Sequence, residues 1–156
     1  MYRVRKKGSR RAVPDLKQLT AAHLDDPNPY VASQAAHELV AKRAVAELAK
    51  HRAETKSMQG AAAAVFALYR IGTTEARAAV REALKDSRWE VRQAAARCAG
   101  MAQDREASAV LRQMVIEEDP SVRRQAAAAL GQIGDREAVP ALIQASANPE
   151  DRFVEH

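Results

Sequence analysis

Val91-Arg92-Gln93-Ala94-Ala95-Ala96 and Val122-Arg123-Arg124-Gln125-Ala126-Ala127 are two copies of one pattern, 31 residues apart. The register holds across a whole unit without a gap. Gly100 falls on Gly131, Asp104-Arg105-Glu106-Ala107 falls on Asp135-Arg136-Glu137-Ala138, and Leu111 falls on Leu142. Such a unit is too long for one helix and too short for a domain, so its apolar face must be buried against a copy of itself. A row of stacked units follows. Stacked repeats present a surface more often than they enclose a pocket, which lowers the expectation of an enzyme.

Each unit reads as two helices, A then B. Asp119-Pro120 opens helix A of the fourth copy, since proline is tolerated in the first turn and an acid there favours the positive end of the helix dipole. Val122, Ala126, Ala129, Leu130 and Ile133 then recur with the spacing of a buried helical stripe. Gly134 supplies a left-handed end and Asp135 caps helix B. Val139, Leu142 and Ile143 are expected to point inward from that helix. In the third copy Asp86-Ser87 opens helix A, and helix B runs from about Arg105 to Glu118. In the second copy helix A ends at Gly72 and Thr73 or Thr74 caps. The first copy is irregular. Leu39 to Leu48 spans nine residues where Leu68 to Val80 spans twelve, and no glycine marks the A–B turn. A tightened turn or a partly fused helix is expected there.

These boundaries give a tail at 1–11, a lone helix B at 12–25, repeats at 27–53, 55–86, 87–118 and 119–148, and the start of a further helix at 150–156. Arg11-Ala12-Val13-Pro14-Asp15-Leu16 matches the start of helix B in the fourth copy, and Pro149-Glu150-Asp151-Arg152-Phe153-Val154 resembles the start of a helix A. Neither end carries the polar cap that terminal repeats normally need. An excerpt of a longer array is the expectation, with self-association through the raw ends as the alternative.

Composition agrees with helices packed through small side chains. Hydrophobic residues make up 47% of the 156, much of it alanine, yet aromatics only 4%. Alanine is the best helix former, and no period-two run of β-branched and aromatic residues appears. The net charge of +5 belongs to the tail. Six of the 25 Lys and Arg (Arg3, Arg5, Lys6, Lys7, Arg10 and Arg11) precede the first acid, leaving 19 against 20 Asp and Glu. Such a tail can touch nucleic acid or anionic lipid, although a leader or linker is the plainer reading. The single cysteine, Cys98, excludes an intrachain disulfide. No signal peptide is visible, and no stretch approaches the roughly 18 apolar residues of a membrane helix. A cytoplasmic protein is expected.

The run from Asp119 to Leu142, DPSVRRQAAAALGQIGDREAVPAL, resembles a HEAT-like repeat of the short bacterial type, also found in phycobilisome chromophore lyases. The resemblance is close in copies three and four and weaker towards the first. It implies a right-handed α-solenoid of antiparallel helix pairs, A helices on the convex side and B helices lining the concave side. It also implies a protein-binding scaffold of the kind that sometimes sits inside a larger enzyme.

Candidate sites are few. After the core residue of successive B helices come Lys17, Ala49, Arg81, Arg112 and Ile143, with Lys50 alongside. They form a ridge that presents Lys17, Lys50, Arg81, Glu82, Arg112, Gln113 and Gln144 to a protein partner. An acidic partner would suit it, because four cations recur on one side. A mixed-charge solvated face is the commoner outcome of such a pattern. A nucleic-acid module using the basic tail is the alternative; aromatics for stacking are not interleaved with the ridge. Asp86 with Arg92, and Asp119 with Arg123, are expected to form a structural ladder. His37-Glu38 invites comparison with HEAT-like deoxyhypusine hydroxylases, which bind iron through repeated His-Glu pairs. The matching pairs are Phe66-Ala67, Arg97-Cys98 and Ala128-Ala129, so a metal is not expected. Cys98 aligns with Ala67 and Ala129 and reads as a buried thiol. Tyr69 stands where Gly100 and Gly131 stand, so that helix end must differ. No catalytic set, cofactor motif or metal motif is present.

Overall fold

The computed structural model describes residues 18–116 and 119–147. A 3-10 helix at Ala21–Asp25 precedes four helix pairs: α1 Pro29–Ala41 with α2 Val45–Glu54, α3 Met58–Ile71 with α4 Thr74–Ala83, α5 Trp89–Met101 with α6 Ser108–Met114, and α7 Pro120–Ile133 with α8 Val139–Ser146. Short 3-10 turns, Arg105–Ala107 and Arg136–Ala138, lead into α6 and α8. Of the helix B expected over 12–25, the described part is the 3-10 helix, with Leu19, Ala21 and Leu24 buried. The basic tail and the segment at 150–156 lie outside the described residues.

All four A–B turns use one backbone device. Arg43, Gly72, Gln103 and Gly134 occupy the same register with φ of 51°, 68°, 48° and 74°. In three of the turns this left-handed residue reverses the chain and lets the next N–H reach a carbonyl five residues back. Ala44 donates to Leu39, Asp104 to Ala99 and Asp135 to Leu130, at 3.0, 3.0 and 3.1 Å. Side chains of Thr73, Asp104 and Asp135 then cap by accepting from the N–H of Ala76, Glu106 and Glu137. The first repeat therefore has no fused helix, and its turn is tightened after the left-handed residue: the Val45 N–H donates to the Arg43 carbonyl at 2.8 Å. Its missing residues fall beyond Ala44, in the opening turn of helix B, where no side chain caps.

The helices α1, α3 and α7 are capped by Asn28, Ser57 and Asp119, each accepting from a backbone N–H in the first turn of its helix. The third repeat departs from this. Its N-cap is Arg88, which makes no capping bond, and the expected opener Asp86 lies two residues earlier, accepting from the Arg88 N–H at 3.1 Å.

Helices α1, α3, α5 and α7 lie side by side, and each of the B helices α2, α4 and α6 packs on the A helix that follows it. The chain is thus an α-solenoid. One apolar seam runs through it: Val31, Ala35 and Leu39 in α1, Ala64 and Leu68 in α3, Val91, Ala95 and Ala99 in α5, and Val122, Ala126 and Leu130 in α7 are all buried. Alanine at the middle positions brings the helices close. Helix α8 departs from the inward orientation expected of it. Val139 is 50% and Ile143 64% exposed, and Leu142 is only partly covered. An apolar B-helix residue is buried by the next A helix, and among the described residues α8 has none after it.

Candidate functional site

Arg81 and Arg112 occupy equivalent positions on α4 and α6, and both are tied to the next repeat. Arg81 Nη1 lies 2.8 Å from Asp104 Oδ2, and Nη2 lies 3.2 Å from Glu106 Oε2. One repeat on, Arg112 Nη1 lies 3.4 Å from Asp135 Oδ2 and 2.5 Å from Glu137 Oε2. Asp104 is buried, so its contact with the guanidinium is shielded from solvent while the glutamate rung is exposed. The aspartate both caps helix B and receives the arginine of the helix B before it. One repeat earlier the corresponding residues are Ala49 and Thr73, and this rung is absent. The two ridge arginines are therefore largely occupied with joining repeats. Lys50, Glu82, Gln113 and Gln144 are exposed beside them. The Glu82–Lys85 contact, 3.8 Å long and exposed on both sides, contributes little. Lys17 and the tail residues lie outside the described residues.

The Asp–Arg ladder expected at the A-helix starts takes a different form. Arg92 Nη1 donates to the carbonyls of Asp86 and Ser87 at 2.8 and 2.9 Å. The Asp86 carboxylate accepts from Arg52 Nη1 at 2.7 Å and from Arg88 Nε and Nη2 at 2.8 and 2.9 Å. Arg88 also reaches back to the carbonyls of Thr55 and Arg52, at 2.8 and 2.7 Å. A cation thus closes the negative end of α2, and the α4–α5 loop is fastened to the first repeat. Burial pushes the Asp86 carboxyl up, but the hydrogen bonds and charge of Arg88, with the charge of Arg52, outweigh it and hold the group below the usual range.

Between the second and third repeats is a cavity of about 350 Å³ lined by Tyr69, Arg70, Arg77, Val80 and Met101, with Asp104 at its margin. Its cause is local. At the next junction Gly100 lets α5 and α7 touch: a Cβ there would lie 2.8 Å from Ala129 Cα and 3.0 Å from Ala129 Cβ. Tyr69 occupies the matching position in α3 and is half-buried. Cys98 is buried in this wall, and burial pushes its thiol up to about 12; it is inert as a nucleophile at neutral pH. The sequence marks Tyr69 as a departure from the repeat. Arg70 and Arg77 carry no such mark, because neither recurs with the period that exposes the ridge.

His37 is exposed. Among the described residues no group of His, Cys, Asp and Glu could hold a metal ion, and no helix is long and apolar enough to cross a membrane. Met58 and Trp89 stand at equivalent A-helix starts, 51% and 40% exposed.

A family model for HEAT repeats matches residues 44–118 and 79–156. The chain belongs to the HEAT repeats. Among solved structures, this HEAT-repeat chain is similar to one in the complex of CpcE and CpcF of phycocyanin lyase from Nostoc sp. PCC7120, with a TM-score of 0.63 and 23% identity. The match covers 98% of this chain and 66% of that one, so the chain spans slightly under two thirds of its neighbour's length. At that identity the likeness concerns the fold alone. No curated protein sequence matches. The fold is that of a helical repeat scaffold, and the neighbouring protein is part of a lyase complex.

Proposed function

We propose that this HEAT-repeat chain is a protein-interaction scaffold whose B-helix ridge meets a protein partner. The observation that supports the reading most is the repeated rung from Arg81 to Asp104 and from Arg112 to Asp135, which fixes the spacing of α4 and α6. A ridge held in that way offers Glu82, Gln113 and Gln144 from one preorganised surface, with Lys50 exposed on α2 beside it, and preorganisation lowers the entropic cost of binding. Arg81 and Arg112 shape this ridge, each facing two carboxylates of the next repeat. The test begins with the intact chain as bait and continues with the purified partner it captures. Lys50→Glu combined with Gln113→Glu and Gln144→Glu is expected to weaken that partner at least tenfold with an unchanged circular-dichroism spectrum. An unchanged affinity would reject the ridge.

The likeness to a lyase-complex chain supports a second reading, in which the scaffold works as one subunit of a larger enzyme. A partner that confers a bond-forming or bond-breaking activity only in the presence of this chain would favour it. Nucleic-acid binding rests on the tail alone. Retention on nucleic acid that falls steeply with salt, and disappears on deletion of Tyr2–Arg11, would favour that third use.

A further inference from the structure

The cavity between α3 and α5 is lined by two arginines that hold nothing. Arg70 and Arg77 are exposed, and among the described residues neither has a hydrogen bond or an ion pair. The other charged group at the margin, Asp104, is already taken by Arg81 at 2.8 Å. The cavity therefore carries uncompensated positive charge. Its remaining walls are apolar or aromatic, namely Tyr69, Val80, Ala99 and Met101. A volume of about 350 Å³ is at the low end for a ligand site and suits a side chain or two.

Two features argue against an incidental gap. The cavity at the next junction, of about 450 Å³, is lined by two carboxylates, Asp135 and Glu137, beside its arginines, whereas this one has Asp104 alone and a phenol, Tyr69, in its wall. Moreover, Arg77 and Arg81 lie one helical turn apart on α4, so the cavity opens beside the ridge. Guanidinium groups favour carboxylates through paired, charge-assisted hydrogen bonds, and a methionine wall adapts to varied apolar shapes.

We infer that this cavity is an anchor pocket for an acidic segment of a partner protein, in which an apolar side chain enters between Tyr69 and Met101 while adjacent carboxylates pair with Arg70 and Arg77. The inference rests on the scaffold reading and gives its partner a chemistry. The pocket, with its free arginines, supplies the acidic-partner selectivity that Arg81 and Arg112 are too occupied to supply.

The probe is a fluorescein-labelled peptide, Glu-Asp-Leu-Glu-Glu, titrated into the full chain at low salt and followed by amide chemical shifts and anisotropy. Saturable shifts are expected at Tyr69, Gly72, Met101 and Ala102. Arg70→Glu with Arg77→Glu should weaken binding at least tenfold, and Tyr69→Gly, which restores the residue of the third and fourth repeats, should weaken it too. Lys42→Glu with Lys85→Glu makes the same charge change elsewhere on the surface and should leave binding within about twofold. The peptide with Gln and Asn in place of its acids should not bind. Thermal unfolding of every variant separates a lost pocket from a lost fold, and Arg70→Lys with Arg77→Lys retains charge where reversal disturbs folding; it should keep part of the affinity. The inference is overturned by absence of binding, by shifts spread over the ridge, by loss on Lys50→Glu with Gln113→Glu but not on Arg70→Glu with Arg77→Glu, or by equal binding of free succinate. The third of these results would leave the ridge reading standing while removing the pocket.

Discussion

The two central repeat junctions are built from the same positions and end up different. Between α5 and α7 a glycine, Gly100, permits backbone contact with Ala129. Between α3 and α5 its counterpart, Tyr69, stands beside an open cavity. Everything around them is shared: the left-handed turn residue, the helix-B cap and the Arg81 or Arg112 rung to the following repeat. A solenoid can therefore tolerate a local opening when its other inter-repeat ties stay in place.

The strongest way to break this comparison is to empty the core on the glycine side. Leu111 is fully buried on α6, so Leu111→Ala should cost about 2–5 kcal/mol in urea denaturation. Ile143 follows the corresponding core position on α8 and is 64% exposed; Ile143→Ala should change stability by less than about 0.5 kcal/mol. Comparable losses at both would mean that α8 is covered as fully as α6.

A smaller effect is expected from placing bulk like that of Tyr69 at the Gly100 position. Gly100→Leu must push α5 away from Ala129 and should cost about 1–3 kcal/mol. Gly131, the counterpart at the last repeat, has open space where a Cβ would stand, with nothing within 4 Å. Gly131→Ala should therefore stabilise by up to about 1 kcal/mol through helix propensity and chain entropy. Destabilisation at Gly131 would show that a neighbour lies against that face.

What can be read in the chain follows the range of the interactions. The apolar stripes of α1 to α7, the Asp119-Pro120 opening and the Gly72 and Gly134 turns are local signals, and each appears where its residues place it. Arg43 and Gln103 adopt the same left-handed turn without glycine, so only the register of the repeat could have identified them. The outward Val139 and Ile143 depend on which helix comes next, which composition and periodicity along α8 do not encode. The partners of Arg81 and Arg112 are an intermediate case. Asp104 and Asp135 recur with the same period as the arginines, so the pairing was latent in the repeat. Arg70 and Arg77 carry no periodic signal at all, and their surroundings emerge only when α3 and α5 are set side by side.

The tie between the first repeat and the α4–α5 loop offers an acid-sensitive test of how independent the junctions are. Unfolded, Asp86 titrates near its ordinary value of 3.8, and in the folded chain it titrates lower. The unfolded state therefore binds more protons through that window, and stability falls as pH drops from the ordinary value towards the folded one. Its contribution is complete above that window. Asp86→Asn should flatten this acid limb and, by weakening charge-assisted hydrogen bonds, cost about 1–2 kcal/mol at pH 7. The rung from Arg112 to Asp135 should be undisturbed, as judged by unchanged amide shifts around Asp135. An unaltered acid limb would show that Asp86 is not what fastens the loop.

The smallest predicted effect concerns the turn that all repeats share. Arg43 is exposed and holds φ of 51°, a conformation that costs an L-residue roughly 1 kcal/mol relative to glycine. Arg43 has no ion pair or side-chain hydrogen bond among the described residues, so replacing it removes strain without removing a contact. Arg43→Gly is expected to stabilise by about 0.5–1 kcal/mol, offset in part by the greater freedom of the unfolded chain. Gln103→Gly should gain less, because Gln103 Nε2 donates to the Gln132 carbonyl at 3.2 Å across the α5–α7 junction. The order of the two gains is the informative quantity. A larger gain at Gln103 would mean that this cross-junction bond adds nothing to the hold of α5 on α7.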